Sequence, residues 1–406
     1  MDKKRLLLAI LFLLLSIGIG YLLYWVFFRS APEPTQPSQS RPDVAGQFPS
    51  SNEGQIIPGS STEGQTLPES GAIPDIFIPT ESQRPSQIVN QPVDTPILNP
   101  TADTALGTKF YNKQDGKFYS LKPDGGIVAL SDQVFFNVDA ITWSPSKNES
   151  IIEYPDGANI YYNFDTKQQV TLPKHWEAFS FSPQGDQIVA KSMGIAKENR
   201  WLLVSDPTGQ NVQLVEPMGD NAGRVTVDWS PNRQIVATSR TGEALGADRE
   251  EILFVGLHGE NFKSTIVEGR GIQSTWSKSG DRLLYSVYSA RNDFKPDLWI
   301  VDASGDEIGN NRKFLNVETW AGKCSFADDR YVYCGVPVSI QQGAGFAPEI
   351  SDNTEDQLIR IDTKTGLRNT IPMNGFHVID SIIINAGQKK LFFTDKQRPG
   401  LFEVSL

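Results

Sequence analysis

The sequence predicts an all-β fold built from repeated units, and three observations predict it. A strand–turn–strand phrase recurs, a second apolar phrase counts the same units, and the chain ends one strand short of a whole number of them. The first phrase is an apolar strand, then Trp-Ser-Pro or a degraded copy, then another apolar strand. Ile141-Thr142-Trp143-Ser144-Pro145 precedes Ile151-Ile152-Glu153-Tyr154, and Phe179-Ser180-Phe181-Ser182-Pro183 precedes Ile188-Val189-Ala190. Val227-Asp228-Trp229-Ser230-Pro231 leads to Ile235-Val236-Ala237, and Ser274-Thr275-Trp276-Ser277 to Leu283-Leu284-Tyr285. Fainter copies join Cys324-Ser325-Phe326 to Tyr331-Val332-Tyr333 and Ile382-Ile383-Ile384 to Leu391-Phe392-Phe393. A period of roughly 40–50 residues marks units that cannot bury their apolar faces alone.

Each copy reads as a β-hairpin. The first strand ends on a large ring that can pack against a neighbouring unit. Proline then ends the ladder, because it has no N–H to give. Gly or Asp, as in Gln184-Gly185-Asp186 and Ser279-Gly280-Asp281, supplies the reversal.

The second phrase supplies a third strand: Phe118-Tyr119-Ser120-Leu121, Ile160-Tyr161-Tyr162-Asn163-Phe164, Trp201-Leu202-Leu203-Val204 and Ile252-Leu253-Phe254-Val255. Leu298-Trp299-Ile300-Val301, Leu358-Ile359-Arg360-Ile361 and Leu401-Phe402-Glu403-Val404 complete a series of seven. Short fourth strands follow, such as Ile127-Val128-Ala129-Leu130 and Val212-Gln213-Leu214-Val215. Four antiparallel strands per unit, a to d, describe the blades of a β-propeller. We therefore expect a seven-bladed β-propeller over residues 85–406, with six or eight blades as alternatives. The last unit lacks a d strand, and Ser86-Gln87-Ile88-Val89-Asn90 can supply it, latching the two ends of the domain and removing an open edge.

The Trp-Ser-Pro hairpins at Trp143, Phe181, Trp229 and Trp276 resemble the WD40-like (PD40) repeats of TolB-type propellers, and the propeller domains of prolyl-oligopeptidase and dipeptidyl-peptidase-IV relatives are similar. The resemblance covers nearly all of residues 85–406 and implies the fold; such propellers serve many roles. No copy keeps a full Trp-Ser-Pro-Asp-Gly: the turns read Ser146-Lys147, Gln184-Gly185, Asn232-Arg233 and Lys278-Ser279. No stretch matches the α/β domain that precedes the propeller in TolB proteins, so TolB partner contacts do not transfer.

Residues 1–5 read as a cytoplasmic tail and 6–28 as a retained transmembrane helix. Leu6 to Phe28 carries no charge over 23 residues, about 34 Å of helix at about 1.5 Å per residue. Lys3, Lys4 and Arg5 precede it, which places the N-terminus in the cytoplasm and the propeller outside. A cleaved signal peptide is the alternative, with Arg29-Ser30-Ala31 a poor cleavage site. Residues 29–84 are rich in Pro, Ser, Gln, Gly and Glu and read as a disordered tether, with a reach on the order of 40 Å. Within it, the apolar Ile73-Pro74-Asp75-Ile76-Phe77-Ile78-Pro79 reads as spacer or as a docking peptide.

Cys324 and Cys334 fall on paired strands of the sixth blade and form a disulfide candidate, with two buried thiols as the alternative. A net charge of −11 argues against nucleic acid. No Gly-x-Ser-x-Gly elbow and no His-Glu-x-x-His occurs. His175-Trp176-Glu177 and His258-Gly259-Glu260 lack an accompanying Cys-x-x-Cys, and Asp302-Ala303-Ser304-Gly305-Asp306 reads as a turn rather than a calcium loop. No metal or cofactor is expected.

Loop length points to a binding face. The b–c connections are long in four consecutive blades, at Met193–Arg200, Arg240–Glu250, Tyr288–Asp297 and Gly335–Asp356. All b–c and d–a loops leave a propeller on one side, and long loops there mark a binding surface. The candidates are Trp176, Arg240, Arg249, Arg270, Arg291, Trp320 and Phe346, residue types that dominate interface energetics. Their alternative is packing between blades and local ion pairing. The expected function is a non-catalytic, membrane-tethered extracytoplasmic module that binds a protein or an envelope polymer. The alternative is a hydrolase at the mouth of the central channel, with carboxylates gathered around His175 or His377.

Overall fold

The computed structural model describes residues 15, 17–19, 87–103, 107–243, 245–385, 387 and 389–406. Contacts divide the chain into Met1–Asp75 and Ile76–Leu406. In the first unit, Leu15, Ile17, Gly18 and Ile19 are helical and exposed. The remainder of the expected span 6–28 and all of the expected linker 29–84 lie outside the described residues. Among the described residues no helix is long and apolar enough to cross a membrane.

The second unit is a seven-bladed β-propeller: seven four-stranded antiparallel sheets, six in sequential order and the seventh completed by the first strand of the unit. Blade 1 comprises Ile97–Asp103, Gly107–Asn112, Lys117–Leu121 and Ile127–Ala129; blade 2, Ala140–Trp143, Glu149–Glu153, Asn159–Asn163 and Gln169–Leu172. Blade 3 comprises Trp176–Phe181, Ile188–Met193, Arg200–Ser205 and Gln213–Pro217; blade 4, Val225–Val227, Ala237–Ser239, Glu250–Val255 and Thr265–Val267. Blade 5 comprises Arg270–Trp276, Arg282–Tyr288, Pro296–Asp302 and Lys313–Glu318; blade 6, Cys324–Phe326, Tyr331–Pro337, Asp356–Asp362 and Arg368–Ile371. Blade 7 takes a, b and c from Ile379–Asn385, Lys390–Asp395 and Leu401–Ser405, and d from Asn90–Val93. The innermost strand of blade 7 contacts that of blade 1, which closes the ring.

The latch differs in register from the expectation of residues 86–90. Asn90 pairs with Glu403 and Val93 with Leu401. Residues just upstream are spoken for: Gln87 bridges Met373 in parallel, its N–H reaching Pro372 O at 2.6 Å, and Val89 N–H donates to Asn374 Oδ1 at 2.6 Å. Burial gives the reason. Ile88 stays 71% exposed while Val93 is 4% exposed against Leu401 and Phe392. Pro92 sits on the outermost strand, where a missing N–H breaks no ladder.

The Trp-Ser-Pro phrase proves to be a clamp across the a–b turn. Ser144, Ser182, Ser230 and Ser277 each donate their N–H to a carbonyl at or just before the start of strand b, at 2.8–3.0 Å. The hydroxyls of Ser182, Ser230 and Ser277 accept an N–H back from Gln187, Ile235 and Arg282. The rings bind blades together: Trp143 meets Phe118 of blade 1 edge-on at 5.5 Å, and Trp276 lies 6.5 Å from Phe254 of blade 4. Side chain to backbone bonds add to this, including Ile141 N–H to Asn99, Trp229 N–H to Ser180 and Ser279 N–H to Asp329. The apolar core accordingly lies between blades, in clusters such as Ile235, Phe254, Trp276, Leu283 and Val301.

Candidate binding face

Antiparallel order places every b–c and d–a connection at one end of the ring. There the b–c loops of blades 3 to 6 span residues 194–199, 240–249, 289–295 and 338–355. The blade-6 loop leans on the blade-5 loop: Gly343 N–H donates to Asp293 O at 2.9 Å and Gly345 N–H to Phe294 O at 2.8 Å. Gly345 is required at this crossing, since a Cβ there would lie 2.3 Å from Tyr288 Cβ and 2.6 Å from Phe294 O. Phe346 is thereby set against Tyr288 and Phe294, both at 5.8 Å between ring centres, and remains 60% exposed. Val338 and Ile350 of the same loop and Phe294 add exposed apolar surface.

Beside this ridge, Glu268, on the d–a turn from blade 4 to blade 5, gathers guanidinium groups from three other segments. Arg249 approaches at 3.0 Å, Arg312 at 3.1 Å and Arg291 at 3.8 Å. Glu268 is 18% exposed while Arg249 and Arg291 are 50% and 66% exposed, so one sheltered carboxylate holds two displayed cations. Arg312 reaches the same group from the c–d side along the Trp299 ring. Arg270 donates to Ala247 O at 2.9 Å and to Gly246 O, pinning the blade-4 loop.

Of the seven candidates read from sequence, Arg249, Arg270, Arg291 and Phe346 thus come together on loops of blades 4 to 6. Arg240 stands apart, with its guanidinium on Gly223 O at 3.2 Å. Trp176 is 4% exposed in the core of blades 2 and 3 with Leu172 and Phe181, and cannot meet a partner. Trp320 is 6% exposed. These two rings look alike in sequence to a displayed tryptophan, and only neighbouring strands decide their burial. Tyr288, Phe294, Glu268 and Arg312, which touch these candidates, were not among the seven because their contacts come from other segments.

Near the channel mouth, the blade-6 loop covers a 220 Å³ cavity lined by Gln273, Trp320, Gly322, Lys323, Ser351, Asp352, Asp380 and Lys396, among others. Lys323 is buried and bonds both oxygens of Asp356, at 2.8 and 2.6 Å; Ile379 N–H donates to the same carboxylate at 2.7 Å. Burial lowers the Lys323 pKa and raises that of Asp356, each opposed by the other's charge. At the end of strand b of blade 2, burial pushes Glu153 up to about 7, helped by Asp139 and Glu177.

His377 is buried, bonded to Asp395 at 3.1 Å and edge-on to Phe393 and Phe402; His175 is exposed in the d–a loop before blade 3. Among the described residues no group of three or more His, Cys, Asp or Glu is arranged to hold a metal ion. Cys324 and Cys334 face each other across strands a and b of blade 6 and are joined by a disulfide, with Cα atoms 4.1 Å apart.

Fold and face define the class: a seven-bladed β-propeller with extended loops at one end. Beyond that class, no family model and no curated protein matches the chain. Accordingly, the likeness of its repeats to TolB-type sequences supports the propeller fold and nothing finer. Among solved structures it is similar to oligogalacturonate lyase in complex with manganese, at TM-score 0.54 and 12% identity over 78% of this chain and 93% of that one. An oligogalacturonate lyase from Vibrio parahaemolyticus gives TM-score 0.51 and 12% identity with the same coverages of 78% and 93%. The tricorn protease aligns with 80% of this chain at 10% identity and TM-score 0.49, and the chain spans 34% of that protein's length. Identities this low speak to fold alone.

Proposed function

We propose that this protein is a non-catalytic binding module, tethered to a membrane by residues 6–28 and displayed outside the cytoplasm, that docks a protein or an envelope polymer on the loops of blades 4 to 6. The observation that carries the reading is the Phe346 ridge beside the Glu268-held arginines. An aromatic group kept 60% exposed by two supporting rings is costly to leave in water, and it has the composition of an interface centre. Arg249 and Arg291 supply the polar rim. Their charges are held in place before a partner arrives, which lowers the ordering cost of binding.

The tether rests on the uncharged run Leu6 to Phe28 after Lys3, Lys4 and Arg5. The disulfide of blade 6 supports an oxidising compartment. The test is capture of partners by the full-length chain from membrane extracts of cells that carry it, comparing wild type with the double variant Phe346→Ala and Arg291→Glu. We expect at least one saturable partner to be lost by the variant while the melting curve is kept, a loss of about tenfold or more in affinity. Retention of every captured partner by a folded variant refutes the face.

A further inference from the structure

We propose that the hollow beside the two outer strands of blade 6 is a docking site for the chain's own apolar run Ile76-Phe77-Ile78, at the start of the second unit. The inference goes beyond the binding face and does not rest on it, although Val338 borders both.

Three observations carry it. First, the chain enters the propeller at this place. Gln87 pairs with Met373 in parallel, its N–H donating to Pro372 O and its carbonyl accepting from Asn374 N–H at 3.2 Å. Met373 and Pro372 are also walls of the hollow. An interface between the entering chain and blade 6 therefore exists already, and it ends at the hollow's edge.

Second, that ladder cannot continue upstream. A further parallel rung would take the N–H of residue 85 to Thr370 O and the N–H of residue 372 to the carbonyl of residue 85. Both positions are proline, which has no N–H to give. The chain before Ser86 cannot add to blade 6 as a fifth strand in this register, so it is side chains that would hold it there.

Third, the hollow and the run match in character and in distance. The hollow measures 340 Å³ and is walled by Val338, Leu358, Ile371, Pro372, Met373 and Gly375, among others. Leu358 is fully buried while Val338 is 52% exposed, so an apolar surface runs from the core out to solvent. The charged groups in the wall are Glu355 and Asp356, and Asp356 is already engaged by Lys323. The volume falls in the range of about 300–1,000 Å³ that bound groups fill. Ile76-Phe77-Ile78 is the nearest unbroken run of large apolar residues before Gln87. From Ile78 the intervening chain reaches at most about 30 Å, ample for a hollow walled by Gln87's own partner. A short linker gives an effective concentration on the order of 1 mM, so a hollow with only millimolar affinity for the free peptide would be about half filled.

Cysteine crosslinking in the full-length protein tests this. One variant combines Phe77→Cys with Val338→Cys, and a second combines Glu81→Cys with Val338→Cys. Position 81 is polar and closer to Gln87 along the chain, so a chain that ignores the hollow would favour it. We expect the pair at 77 and 338 to close about tenfold faster than the pair at 81 and 338, at a rate independent of protein concentration. Adding Ile76→Ser and Ile78→Ser to the first pair should lower its rate to that of the second. Those two changes lie outside the blades and should leave the melting curve as it is. Cys324 and Cys334 are buried in their own disulfide and stay out of the exchange. Equal rates at positions 77 and 81, or a rate at 77 that survives the serine changes, overturn the proposal. So does a rate that rises in proportion to protein concentration, because a second copy is then the donor.

Discussion

Glu153 ends strand b of blade 2 between Asp139 and Glu177, and burial together with those two charges lifts its carboxyl from an ordinary 4.5 to about 7; the Thr142 side chain pulls the other way. An acid whose folded pKa is raised holds its proton more tightly in the folded state. Its ionisation therefore imposes a stability cost that is full above about pH 7, fades as pH falls from 7 towards 4.5 and is absent below 4.5. Glu153→Gln removes the charge at similar volume. We expect its melting temperature to exceed wild type by about 2 °C at alkaline pH and to match it in acid; a variant that melts lower than wild type at alkaline pH contradicts the assignment. At this scale the sequence was partly legible. The serine of each Trp-Ser-Pro phrase announced a turn, yet its two-way clamp on strand b emerges only with the partner N–H in place. Ser144 marks the limit: its hydroxyl has no partner, in the blade whose turn reads Ser146-Lys147. Trp176 and Trp320, read as display candidates with packing between blades as the alternative, take the alternative for a related reason. Tryptophan has the same composition signal inside and out, and burial is set by strands far along the chain.

Strands c were legible by their apolar runs, although burial alternates along most of them, as in Glu250–Val255 and Pro296–Asp302; Leu202, Leu203 and Val204 of blade 3 are buried in succession. The latch was legible in kind and wrong in register. Residues 86–93 offer Ile88, Val89 and Val93 as equally good anchors, and only closure of the ring selects Val93 over Ile88. Strand c of blade 7, Leu401–Ser405, pairs with Lys390–Asp395 on one side and with the latch on the other. Removing residues 401–406 takes away both the third strand and the surface that holds the fourth. We expect the truncated chain to lose its single cooperative melting transition, because two blade edges open at once. An unchanged transition would falsify the closure. The blade-6 hairpin is a separate local restraint. Its disulfide spans 10 positions and adds about 2–3 kcal/mol.

Across the whole molecule, repeats that were readable one by one explain the ring, and loop lengths explain which end is elaborate. They do not explain how Glu268 collects Arg249, Arg291 and Arg312 from three segments of two blades. That convergence, like the Phe346 ridge, belongs to the assembled ring. The central claim is that partners are received on this end and not on the outer strands, where Val128 is also 50% exposed. A photoreactive phenylalanine analogue placed at position 346, and in parallel at position 128, in the full-length protein tests it most directly. Irradiation in cells that carry the protein should give discrete crosslinked species from position 346 and background from position 128. Equal yields at both positions, or species from position 128 alone, would contradict the account.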